Sequence, residues 1–223
     1  LYCSAFDGKD CYAIIAQTYT YGVHPLYFAK LNVATGDTTT IYKFNDTEKN
    51  RWYIGYDVYA LSYDPKTKEI YGLGKDYETQ IIDGEEKIVN AYSVLYTIDK
   101  NTGEFSKVQD FNRVYYNFSF DYDGNCYMLR PKAKSEQDQS VVGTELVKFN
   151  SDFNEVSVTE CKSQWGETFI QKYFGTMSFD FTTGNLWWIP VGDYGATTLY
   201  TINLATGVYE GKSWFNIGNS FVG

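Results

Sequence analysis

The 223-residue chain has one histidine, four cysteines and too few basic residues to balance its acids. A Ser–His–Asp triad needs a histidine base, and His24 in YGVHPLYF would have to supply it. No G-x-S-x-G elbow accompanies it, and a loop histidine beside a proline reads as solvated or structural. No C-x-x-C or mixed Cys/His spacing is present, which argues against a structural zinc site. Lys and Arg number 19 against 28 Asp and Glu, a formal charge of −9. Such a chain lacks the clustered cations that hold a phosphate backbone, so nucleic acid and anionic membrane are not expected partners. No run approaches the roughly 18–20 apolar residues of a membrane span. The chain opens on LYCSAFDGKDCY, already strand-like and without an initiator Met. It is read as a segment of an exported, extracellular or cell-surface protein whose targeting sequence lies outside it.

Long amphipathic helical periods are missing too. What is present is aromatic: 22 Tyr, 15 Phe and 5 Trp, residue types that suit a pleated, half-buried surface. Short alternating runs broken by Gly, Asn, Asp and Thr predict an all-β domain. Those runs repeat. First strands are read at LYCSAFD, VYALSYD, YNFSFDYD and GTMSFDF. Second strands follow at CYAII, IYGLG, CYMLR and LWWIP, and their first residues, Cys11, Ile70, Cys126 and Leu186, are spaced by 59, 56 and 60 residues. Third strands, such as LYTIDKNTG and LYTINLATG, end in tight turns where Gly36, Gly103 and Gly207 supply a positive φ. Asn154 is expected in that role in the third repeat. Fourth strands carry interspersed charge, as exposed sheet edges do.

Four antiparallel strands repeated with this period predict a β-propeller of about four four-stranded blades, near 1–45, 57–112, 116–161 and 175–216. A fragment of a larger propeller is the alternative. The pattern SYDPKTKEIYGL…LYTIDKNTGE resembles the propeller repeats of many secreted bacterial proteins. The resemblance covers nearly the whole chain. It implies a monomeric module of a larger multidomain surface protein of the Bacteroidetes type. It implies no activity, because propellers host unrelated functions.

Cys11 and Cys126 take positions that other repeats fill with Ile70 and Leu186, so they read as small core hydrophobes. A DGKD turn would pair Phe6 with Cys11 and leave Cys3 further along, and the thiols are expected free and buried. Asp121 and Asp123 in FDYDGN lack the remainder of a calcium loop. They align with turn residues Asp7 and Asp64, and bonding to their own turn backbone accounts for them.

Function is expected on the face built by second-to-third-strand loops and blade-to-blade links, the irregular parts of the chain. GKDYETQIIDGEEKIVNAY and RPKAKSEQDQSVVGT are read there as loops. The links hold Trp52, Tyr53 and Trp165, and the loops Tyr19, Tyr21, Tyr77, Arg130 and Tyr194, with Arg51, Arg113 and Glu167 nearby. Trp52, Tyr53, Arg130, Trp165 and Tyr194 are the candidate ligand-binding residues, with Trp52 and Trp165 as stacking anchors for a glycan or protein ligand. Packing of both tryptophans beneath their loops is the competing expectation. No catalytic residue, metal or cofactor is assigned. A glycosidase or lyase with carboxylates on the same face, and a spacer domain, are the alternatives to a non-catalytic binding module.

Overall fold

The computed structural model describes residues 3–16, 26–44, 58–135, 138–168, 175–190 and 196–216. Among these residues there are strands and no helix. The strands form four antiparallel meanders. The first blade is β1 (Cys3–Phe6), β2 (Cys11–Ala16), β3 (Leu26–Leu31) and β4 (Thr38–Lys43). The second is β5 (Ala60–Asp64), β6 (Glu69–Ile82), β7 (Glu85–Ile98) and β8 (Phe105–Asp110). The third is β9 (Asn117–Phe120), β10 (Cys126–Ala133), β11 (Val141–Phe149) and β12 (Glu155–Glu160). A two-residue strand, β13 (Lys162–Ser163), precedes the fourth blade. That blade comprises β14 (Thr176–Asp180), β15 (Asn185–Ile189), β16 (Ala196–Ile202) and β17 (Val208–Asn216). β13 joins this sheet as a parallel partner of β17, pairing Lys162 with Val208 and Ser163 with Tyr209.

The turns explain why the same phrases recur. Between first and second strands, Asp7, Asp64, Asp121 and Asp180 each accept an amide two residues on, at 2.9–3.0 Å. Between third and fourth strands, Asn32, Asp99, Asn150 and Asn203 do the same at 2.7–3.1 Å. A short acceptor side chain thus satisfies turn amides that no strand reaches. Asp121 is fully occupied this way, by the Asp123 and Asn125 amides, the Asn125 side chain and the Tyr127 hydroxyl. Gly36, Gly103 and Gly207 have φ of 78°, 71° and 69°, as expected. In the third blade Phe153, at 56°, takes the left-handed position, not Asn154.

The chain divides into two compact units, Leu1–Tyr63 with Lys68–Val114, and Asp64–Thr67 with Tyr115–Gly223. In the first, Tyr12, Ile14 and Phe28 pack with Leu61, Ile70, Tyr96 and Ile98. In the second, Tyr127, Leu129 and Leu146 pack with Met177, Leu186, Trp188 and Ile202. Alternation along each second strand sends residues i and i+2 to one face, so Tyr127 and Leu129 enter the core together. In the fourth blade Leu186 and Trp188 are fully buried while Trp187 and Ile189 are only partly so. The expectation that at least one of Trp187 and Trp188 is core is met by Trp188. Phe6 pairs with Cys11 and Cys3 with Ile14, and all four cysteines are free and buried. Burial pushes the Cys161 thiol up to about 12, so it stays protonated at neutral pH.

The longest departure from the sequence reading lies in the second blade. GKDYETQIIDGEEKIVNAY is not a loop. It is the outer part of β6 and β7, two 14-residue strands that run beyond the blade as a ribbon. The ribbon closes at Asp83 and Gly84, with φ of 57° and 81°, between paired Ile82 and Glu85. That is the two-residue hairpin turn whose twist matches its strands.

Candidate functional site

The link after the third blade builds a hairpin beside a cleft. Lys162 bridges Thr168, and the segment between them is a small hairpin. The Gly166 amide donates to the Ser163 carbonyl at 2.9 Å, and the Ser163 amide to the Glu167 carbonyl at 2.8 Å. Gly166 has φ of 83°, the left-handed residue that ends such a loop as a bulge. The Ser163 hydroxyl, itself buried, accepts from the Trp165 amide at 3.2 Å and the Glu167 amide at 3.1 Å. The loop is therefore braced from inside, and its tip residue, Trp165, is 77% exposed. An indole held out by a tight turn is not packed beneath its loop.

Trp165 lines a cleft of about 660 Å³ between this hairpin and the outer strands of the fourth blade, within the usual range for small-ligand sites. Tyr200 of β16 and Tyr209 of β17 form one wall, their rings 5.4 Å apart and perpendicular. Both rest on the buried Trp188. The Tyr209 hydroxyl donates to the Glu167 carbonyl at 3.2 Å, tying wall to hairpin. Burial, with Tyr200 and Glu167 adding to it, raises the Tyr209 pKa, so the phenol remains a neutral donor. Gln164, Glu167, Glu210 and Lys212 supply the polar lining. The Lys212 ammonium lies 2.6 Å from the Glu210 carboxylate.

Of the sequence candidates, Trp165 and Glu167 reach this cleft. Trp52, Tyr53 and Tyr194 lie outside the described residues, as do Tyr19, Tyr21, His24 and Arg51. Arg130 is not a loop residue: β10 continues through it to Ala133. Its side chain is 9% exposed, with Nε 2.8 Å from Glu145 and an amino nitrogen 3.0 Å from Glu155. Burial alone would lower the guanidinium pKa. Hydrogen bonds to Glu145 and Tyr115 outweigh it and hold the group above its usual value. Arg130 is a buried tie between strands, and it is not part of the cleft. Tyr77 lies in β6, in the ribbon, and Arg113 sits just beyond β8, where its carbonyl accepts from the Ser93 amide.

Tyr200, Tyr209, Glu210 and Lys212 were not singled out by sequence, because LYTIN and VYEGK read as ordinary blade strands. The S-Q-W-G-E run did carry a signal. Ser at the start of a short loop and Gly at its left-handed end flank a tryptophan with no apolar neighbour in the loop. Among the described residues, no three His, Cys, Asp or Glu side chains group to hold a metal ion.

No protein-family model matches the chain, and no curated protein matches it. Solved structures do. A GH43_1 enzyme from Xanthomonas citri complexed with xylose matches with a TM-score of 0.59 at 9% identity, over 94% of this chain and 72% of that one. RS223-β-xylosidase matches at 0.58 and 12% identity, over 95% and 76%. CoXyl43, a GH43 β-xylosidase/α-arabinofuranosidase from a compost microbial metagenome, matches at 0.55 and 15% identity, over 92% and 74%. Likeness at this identity speaks to fold and not to activity. Together with the four meanders, it makes this chain an all-β, four-bladed β-propeller.

Proposed function

We propose that the chain is a non-catalytic binding module whose ligand is a glycan, held in the Trp165 cleft. The observation that carries this reading is the 77% exposed Trp165, presented by a braced hairpin over a cleft lined with tyrosines and hydrogen-bonding side chains. A flat aromatic with polar groups beside it suits a sugar ring, whose C–H face stacks while its hydroxyls pair. Preorganisation of the hairpin lowers the ordering cost of binding. The sugar-bound state of a neighbour with the same fold accords with this reading. The module is read as monomeric and as part of an exported bacterial protein. The test is isothermal titration with soluble oligosaccharides selected from a glycan array, comparing wild type with Trp165→Ala. The variant should lose at least about tenfold in affinity while its circular dichroism is unchanged.

A carbohydrate-active enzyme is the second reading, favoured by two carboxylates, Glu167 and Glu210, lining one cleft. Reducing-end release from the bound oligosaccharide, abolished by Glu167→Gln, would select it.

A further inference from the structure

We infer that the cleft selects uncharged oligosaccharides and rejects acidic ones, and that Glu210 sets this choice by occupying Lys212. This rests on the glycan reading above. The lining carries the hydroxyls of Thr198 and Tyr200, one amide from Gln164, and the carboxylates of Glu167 and Glu210, while the Ser163 and Tyr209 hydroxyls are engaged in bracing the hairpin. The hydroxyls and the amide can donate to or accept from sugar hydroxyls, and the carboxylates accept from them. A uronate or sulfate is held best by a cation, and among the described residues the cation of the lining is Lys212. Its ammonium is already engaged by Glu210 at 2.6 Å, and Glu167 adds a second negative charge to the same cleft. An acidic sugar entering here meets two carboxylates and one neutralised ammonium. Like charges placed together in this way cost binding, which is how a site excludes a wrong partner. The whole chain adds to the effect with a formal charge of −9.

The arrangement makes an asymmetric prediction. Neutral ligands should bind with little salt dependence, since no net charge is matched on binding. The double variant Glu167→Gln, Glu210→Gln keeps side-chain size, exchanges one acceptor oxygen of each carboxylate for an amide donor, removes both negative charges and releases Lys212. It should gain affinity for an acidic oligosaccharide.

The experiment titrates the intact chain with neutral hexaoses (cello-, xylo- and manno-) and with hexagalacturonic acid, at 20 and 200 mM NaCl. Wild type is compared with Trp165→Ala and with the double glutamine variant. The expected result is binding of at least one neutral hexaose by wild type, lost tenfold or more in Trp165→Ala, and none of hexagalacturonic acid. The double variant then gains salt-sensitive binding of the acid of at least tenfold. Hexagalacturonic acid binding wild type as tightly as the neutral sugars overturns the selectivity and leaves the glycan reading intact. So does its failure to bind the double variant when that variant still binds the neutral sugar. Absence of binding by all four probes to wild type overturns the glycan reading itself, and this inference with it.

Discussion

Replacing Leu129 with alanine removes three carbons from the centre of the second unit's core. Leu129 is fully buried and packs in the cluster that holds Leu146, Met177, Leu186 and Trp188. At about 0.8 kcal/mol per buried carbon group, the lost transfer energy alone is about 2.4 kcal/mol. The space left behind is bounded by strands paired on both sides, β9 and β11, which restricts collapse. A cavity contribution should therefore raise the cost, within the range of roughly 2–5 kcal/mol for such deletions. Urea unfolding followed by tryptophan fluorescence is the assay, because Trp188 sits in the same cluster. Val156→Ala, on the outer strand of the same blade and 59% exposed, is the matched control and should stay within about 0.5 kcal/mol. A Leu129→Ala cost under about 1 kcal/mol would refute the packing and the strand register from which it follows.

Three further perturbations test the turns and the ribbon. The Thr102 and Asn101 amides hold the Asp99 carboxyl below its usual value, so its contribution is complete above the unfolded pKa of about 3.9 and is lost as pH falls through the lower folded value. Wild type should therefore lose stability relative to Asp99→Asn as pH falls below about 4 in urea titrations, and a pH-independent gap would count against the bond. Gly207→Ala would place a Cβ 2.6 Å from the Glu160 carbonyl at a φ of 69°, and should cost more than about 1 kcal/mol in the same assay. Replacing Glu78–Asn90 with Asn-Gly, between paired Tyr77 and Ala91, should leave thermal unfolding and glycan binding unchanged, whereas loss of folding would make the ribbon part of the blade.

What could be read from the sequence was whatever repeats. Four copies of one phrase make each turn a comparison among four, so the all-β propeller fold, the Phe6–Cys11 pair and three glycine turns could be placed. Single-copy features had no such support. The ribbon was read as a loop because Glu, Lys and Thr dilute the alternation of a strand exposed on both faces. Ile81, Ile82, Ile88 and Val89 lie there unburied, so no core face disciplines the pattern. The Asp83-Gly84 pair after Ile81 and Ile82 is nevertheless a legible hairpin signal. Arg130 was placed in a loop because a charge after four apolar residues reads as an exit to solvent. Its partners, Glu145 and Glu155, come from other strands and are invisible to a local reading. The cleft escaped for the same reason: Tyr200 and Tyr209 belong to strands, and β17 meets the Trp165 hairpin through the β13 pairing and the Tyr209–Glu167 bond, neither of which is local in sequence.

The acceptor side chain in the first-to-second and third-to-fourth strand turns has a consequence for how the chain folds and changes. A turn that satisfies its own amides can form before any distant strand arrives, so each blade begins from contacts a few residues apart. That keeps the loop-closure cost of the early steps low for a fold otherwise dominated by sheet pairing. It also divides the chain into two kinds of connection. Those at one end of each meander carry their own chemistry and tolerate little variation. The others are released from any duty in folding. The β6–β7 ribbon is of the second kind. A new binding loop can be written there without rewriting the blade that carries it.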